Sequence, residues 1–178
     1  MEAVSGKRGQ TKGLTLTPFA RPSLDFVETQ LTREFAMAVQ TTRAPIVVTH
    51  DGGVRFAAQI RSHRVVVDQP VRAGGADSGP SPIELLGASL GTCVALYVQQ
   101  FLHARELPYD GLRVEVEQQG ATNPARIARF IVRVLLPTEL PDHYAAMLER
   151  VAQSCPAHNT LAHGAEVSVL IETPTPAV

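Results

Sequence analysis

Two cysteines and two nearby histidines are the residues of this chain best suited to chemistry. Cys93 and Cys155 stand 62 positions apart, with His158 three residues after the second and His163 further on. There is no C-x-x-C pair and no ladder of even spacings, which speaks against a disulfide scaffold. Two thiols so placed fit redox or nucleophilic chemistry in a reducing compartment. The alternative is plain core packing, because free cysteines are among the most buried residues. Cys155-Pro156-Ala157-His158 also has the form of a metal half-site. A structural zinc centre wants four closed ligands, however, and the local helix would not aim Cys155, His158 and His163 at one point. No metal site is assigned, and His158 is expected to tune Cys155 or to pack.

The elements that must position these thiols follow from the pattern around them. Cys93 lies mid-way along residues 81–106. Ser81 is placed as an N-cap, Pro82 at the first helical position and Glu84 at N3, which completes a capping box, and Pro108 ends the run. Some 25 residues at ~1.5 Å each make a helix about 37 Å long. Residues 85–98 carry no charge, and Gly87, Ala88, Ser89, Gly91 and Thr92 keep several faces small. A helix apolar all round is expected to be buried all round, with other chain segments approaching closely. One α+β layer does not easily surround it, so a second copy is expected to complete the burial. Cys155 directly precedes a proline at a helix start, where unpaired N–H groups and the dipole are expected to favour thiolate. Cys93, in apolar surroundings, needs a cationic neighbour to ionise.

The remainder of the chain reads as strands and short helices. Residues 46–50, 54–60 and 63–68 are β-rich runs, the first two separated by Asp51-Gly52-Gly53, a hairpin signal. A glycine-rich loop, 69–79, leads to the long helix. Residues 112–118 alternate as a strand, 126–136 as its hairpin partner, 141–154 as an amphipathic helix, 155–163 as a short helix closed by Gly164, and 166–172 as a last strand. The fold class is α+β, with helices packed on antiparallel sheet. Residues 1–44 read as an N-terminal extension, partly disordered, with a candidate short helix at 23–33; residues 45–173 form the domain and 174–178 a tail.

Composition bounds the function classes. The 178 residues are 44% hydrophobic and 19% charged, a globular balance that excludes wholesale disorder. A net charge of −1 argues against nucleic-acid binding, which needs a clustered positive surface. No apolar run is expected to reach the ~18 residues of a membrane span, and the first residues lack the apolar segment of a signal peptide. A cytoplasmic location is expected. No glycine-rich loop precedes a lysine in the manner of a phosphate site.

At this point the residues carry a resemblance. Gly79-Pro80-Ser81-Pro82-Ile83-Glu84-Leu85-Leu86, running through Ser89-Leu90-Gly91-Thr92-Cys93, resembles the first signature of the OsmC/Ohr family, the osmotically inducible protein C and organic hydroperoxide resistance group. Cys155-Pro156-Ala157-His158-Asn159-Thr160-Leu161 is similar to the second. The resemblance covers roughly residues 45–173 and both cysteines. It implies an OsmC-like fold, antiparallel sheets packed around a long central helix in an intertwined homodimer, with active sites near the subunit interface. It implies thiol-dependent reduction of organic hydroperoxides in the oxidative or osmotic stress response, with no metal or organic cofactor and with an external dithiol as reductant. Cys93 would be the peroxidatic cysteine and Cys155 the resolving one.

The sequence also departs from that pattern. The family's glutamate stands ten residues before the peroxidatic cysteine, where this chain has Ile83; Glu84 is nine before. Nine residues at ~100° each put Glu84 on the far side of the helix, ~13.5 Å along its axis. Glu84 is thus a candidate catalytic group or only a helix cap. Arg55 is the best match for the activating arginine, with Arg61 and Arg64 behind it. Leu86, Leu90 and Val94, with His158, are expected to line a greasy substrate pocket suited to alkyl or fatty-acid peroxides. The competing reading is a non-catalytic protein of the same fold that binds a small apolar ligand and lacks the activating Glu–Arg pair.

Overall fold

The structure, a computed structural model, describes residues 44–174. The expected helix at 23–33 lies outside the described residues. Three strands, β1 (Val47–His50), β2 (Phe56–Ile60) and β3 (His63–Val67), form an antiparallel sheet in the order β1-β2-β3. Helix α1 (Pro82–His103) follows, then the hairpin β4 (Arg113–Thr122) and β5 (Ala125–Leu135), and helices α2 (Asp142–Gln153) and α3 (Pro156–His163). The α+β class and the antiparallel sheets are as expected.

Local chemistry sets the boundaries. The first hairpin loop is longer than Asp51-Gly52-Gly53, because Asp51 N–H donates to Arg55 O and Arg55 N–H to Gly52 O, which keeps Val54 and Arg55 out of β2. Gly52 and Gly53 supply the positive φ angles, 94° and 58°, that this turn requires. At the start of α1, Ser81 Oγ accepts from Glu84 N–H and Ser81 N–H donates to Glu84 Oε2 at 2.7 Å. The helix ends three residues before the expected limit. Glu106 takes a left-handed φ of 56°, and Leu107 N–H reaches back to Leu102 O, so a Schellman-type closure rather than Pro108 stops it.

Helix α1 organises the core. Gly87, Leu90, Gly91, Val94, Val98, Phe101 and Leu102 form its buried stripe, at helical spacing, against β4, β5, α2 and α3. The glycines permit close approach: a Cβ on Gly91 would stand 2.9 Å from a Val116 methyl, and one on Gly87 would strike the Gln118 amide. At the far end, Arg105 bonds to Phe101 O and stacks 3.7 Å over the Phe101 ring, while its Nη2 reaches Met147 Sδ on α2.

Three expectations are corrected. Within one chain, α1 is not buried all round: Ile83, Leu86 and Leu96 remain exposed, Leu96 by 51%. The helix is also long and apolar enough, by length and composition, to cross a membrane, because Ser89, Thr92, Gln99 and Gln100 interrupt it without charge. Its buried stripe is that of a core helix. Finally, residues 166–172 form no strand. Their alternation suits a sheet edge, but no strand among the described residues pairs with them, and Val167, Val169, Leu170 and Ile171 are at least 80% exposed.

The loop before α1 is built on Asp68, which the sequence placed in β3. The strand stops at Val67, and Asp68 turns inward to 2% exposure. Its Oδ1 accepts from Gln69 N–H, and its Oδ2 from Ala76 N–H, Ser78 N–H and the Ser78 hydroxyl. The Ser78 bonds lead in holding its pKa at about 2, against the opposing effect of burial. A carboxyl whose folded pKa lies below its unfolded value stabilises the fold above the unfolded pKa of ~3.9, and that contribution is lost as pH falls towards 2. Asp68→Asn removes one acceptor oxygen and the titration together. We expect a lower melting temperature at neutral pH and a shallower decline between pH 4 and 2 than in the wild type, read by circular dichroism. Parallel pH profiles would show that the cage does not depend on the carboxylate.

Candidate active site

The two cysteines meet where α3 begins against α1. Cys155 is the N-cap of α3 and fully buried, and its Sγ accepts the His158 N–H at 3.3 Å. Cys93, half-buried on α1, packs against the same core cluster that holds Cys155. The expectation that the helix start makes Cys155 the readier thiolate is corrected. Burial pushes its pKa up, the His158 N–H opposes this, and the neighbouring Cys93 adds to the rise. The helix terminus is present, but desolvation outweighs it.

Two apolar clefts border His158, and neither cysteine lines them. The larger, about 510 Å³, runs between β5 and α2, with Val94, Phe130, Val132, Leu140 and Leu148 among its walls. The smaller, about 200 Å³, is lined by Leu90, Phe130, Val132, His158, Leu161 and Ala162. His158 borders both, and its Nδ1 is buried with no hydrogen-bond partner. Of the expected pocket residues, Leu90, Val94 and His158 line these clefts. Leu86 lines neither; it sits 39% exposed.

The expected activating pair is engaged elsewhere. Arg55 donates to Asp51 O at 2.9 Å and holds the Asp51 carboxylate at 3.3 Å, inside its own hairpin loop. Arg64 bonds to the same carboxylate at 2.8 Å, and Arg61 is exposed at the β2–β3 turn. Glu84 is held by the Ser81 N–H and hydroxyl, which lower its pKa, and it borders a separate groove floored by Gly87 and Gly91. Sequence reasoning missed Phe130 and Val132, which face both clefts. The signal was there in the alternation Phe130-Val132-Val134 along β5.

The comparisons with known proteins bear on this arrangement. The family profile described as OsmC-like protein matches residues 75–170, more than half of the chain and a span that includes both cysteines. The chain belongs to the OsmC-like family. Among solved structures, one from Psychrobacter arcticus 273-4, described as an osmotic stress induced and detoxification response protein, superposes with a TM-score of 0.62 at 24% identity, covering 68% of this chain and 90% of that one. The OsmC-like protein of Mycoplasma pneumoniae superposes with a TM-score of 0.59 at 18% identity, covering 69% and 89%. At these identities the likeness shows the fold. No curated protein matches the chain.

Proposed function

We propose that this OsmC-like protein reduces organic hydroperoxides with a cysteine pair, working as a homodimer in the cytoplasm. The observation that carries this reading is that Cys93 and Cys155 share one core cluster where α3 meets α1, with His158, three residues after Cys155, bordering two apolar clefts. In the reaction, the Cys93 thiolate attacks the terminal oxygen of R–O–O–H. The O–O bond breaks, the alkoxide leaves and takes a proton as the alcohol, and Cys93 becomes a sulfenic acid. The Cys155 thiol then condenses with it, releasing water and forming a disulfide, which an external dithiol reopens by exchange. A buried thiol with a raised pKa suits the second step better than the first, which supports Cys155 as the resolving residue. The stress and detoxification role described for the Psychrobacter relative is the setting we infer for this chain.

A second reading is favoured by the engagement of Arg55 with Asp51 and of Glu84 with Ser81. Without a group that stabilises the Cys93 thiolate, the clefts would serve a non-catalytic binder of small apolar molecules. Mass spectrometry after one equivalent of an alkyl hydroperoxide separates the two. The expected product is a Cys93–Cys155 cross-linked peptide. Sulfinic acid at Cys93 without a cross-link would leave a reactive thiol with no resolving partner. If neither cysteine changes, the binding reading takes over.

A further inference from the structure

We propose that the His158 imidazole takes the thiol proton of Cys155 when Cys155 closes a disulfide with Cys93. Two helices of this chain start alike. Helix α1 opens with Ser81-Pro82-Ile83-Glu84 and α3 with Cys155-Pro156-Ala157-His158, and both N-caps are extended, at φ −69°, ψ 160° and φ −67°, ψ 146°. In α1 the capping box is complete. Ser81 Oγ accepts the Glu84 N–H, and the Ser81 N–H and hydroxyl both donate to Glu84 Oε2 at 2.7 Å. In α3 only the first half is made, with Cys155 Sγ accepting the His158 N–H at 3.3 Å. The returning half falls to the imidazole, whose Nδ1 is buried with no hydrogen-bond partner. A side chain at N3 is within reach of its own N-cap, so the imidazole can accept the Cys155 S–H as Glu84 accepts the Ser81 O–H. Cys155 needs such an acceptor. It is fully buried, and that burial raises its pKa, so its thiolate does not form unaided. Of the elements packed around the start of α3, α1 offers Cys93, β5 only the apolar Phe130 and Val132, and α2 the exposed Glu149, held by the Gln153 amide.

This deepens the proposed function and rests on it for its place in a reaction. His158 takes the S–H proton, and an electron pair of the Cys155 sulfur forms the S–S bond to Cys93. The S–O bond of the sulfenic acid breaks, and the leaving hydroxide recovers the proton from the imidazolium and departs as water. The proton transfer is tested apart from peroxide, on the full chain, with the aromatic disulfide dithiobis(nitrobenzoate). Half-buried Cys93 takes up one nitrothiobenzoate and releases the other; Cys155 then displaces the second and leaves the Cys93–Cys155 disulfide. At pH 7 the second release is expected to be at least about tenfold slower in His158→Gln and His158→Ala, which keep the main-chain N–H on Cys155, with the first release unchanged. A histidine changes charge between about pH 5 and 8, so the wild-type rate is expected to level off by about pH 8. The variants' rates are expected to climb about tenfold per pH unit to about pH 9, as Cys155 ionises without help. No second release in wild type, or a wild-type rate still climbing at about pH 9, overturns the proposal. So does a variant that is not slowed, or is slowed by one factor at every pH. A His158-dependent second release in a protein that leaves hydroperoxide untouched keeps the role of His158 and loses the peroxidase reading; peroxide turnover with a release indifferent to His158 does the reverse.

Discussion

Cys93→Ser is expected to lower the turnover of an organic hydroperoxide, with a dithiol as reductant, at least about 1,000-fold, because the serine hydroxyl is a far weaker nucleophile than a thiolate. Cys155→Ser is expected to behave differently. Cys155 is fully buried and its pKa is raised, first of all by that burial, so it stays a thiol and does not compete for peroxide. Its loss leaves the first attack intact and removes the partner that traps the sulfenic acid. The variant should consume one equivalent of peroxide in a burst and then stall, and excess peroxide should carry Cys93 on to sulfinic acid. Consumption kinetics with intact-mass analysis distinguish the two. Turnover that survives in Cys93→Ser would mean the reaction does not pass through this thiol. A burst retained in Cys93→Ser and lost in Cys155→Ser would exchange the roles.

Much of this geometry is legible in the sequence. The capping box at Ser81 and Glu84 fixed where α1 begins, and the uncharged stretch after it marked the core helix. Strand alternation located both hairpins to within a few residues, since period-two patterning and turn glycines act locally. What escaped was decided by tertiary context. Asp68 reads as the polar end of a strand; only the chain folding back through Ala76 and Ser78 turns it into a buried anchor. The pKa of Cys155 followed the same logic, because helix position can be read from sequence whereas burial cannot. Residues 166–172 show the limit most plainly. A strand pattern states what a segment will accept, and an edge must be supplied before it pairs.

That missing edge leads to the remaining expectation. In a single chain, Ile83 and Leu96 on α1, Val47 and Val48 on β1, and the alternating Val167, Val169 and Ile171 are all exposed, by 47% to 90%. Soluble chains rarely leave so many large apolar side chains open without a partner, and a second copy would cover the helix face and supply an edge for the C-terminal segment. Light scattering at micromolar concentration is expected to give twice the 19.1 kDa chain mass. Leu96→Glu tests the helix face directly. Leu96 is 51% exposed in the single chain, so a carboxylate there leaves each chain's fold unchanged. In a dimer that buries this position, the same charge is taken out of water unpaired and weakens association at least about 100-fold. Val169→Lys makes the corresponding test of the C-terminal segment. The expected pattern is a native circular dichroism spectrum for both variants, with the helix variant shifted to monomer and the strand variant shifted part-way. A wild-type protein that scatters as a monomer would remove the homodimer from the proposed function.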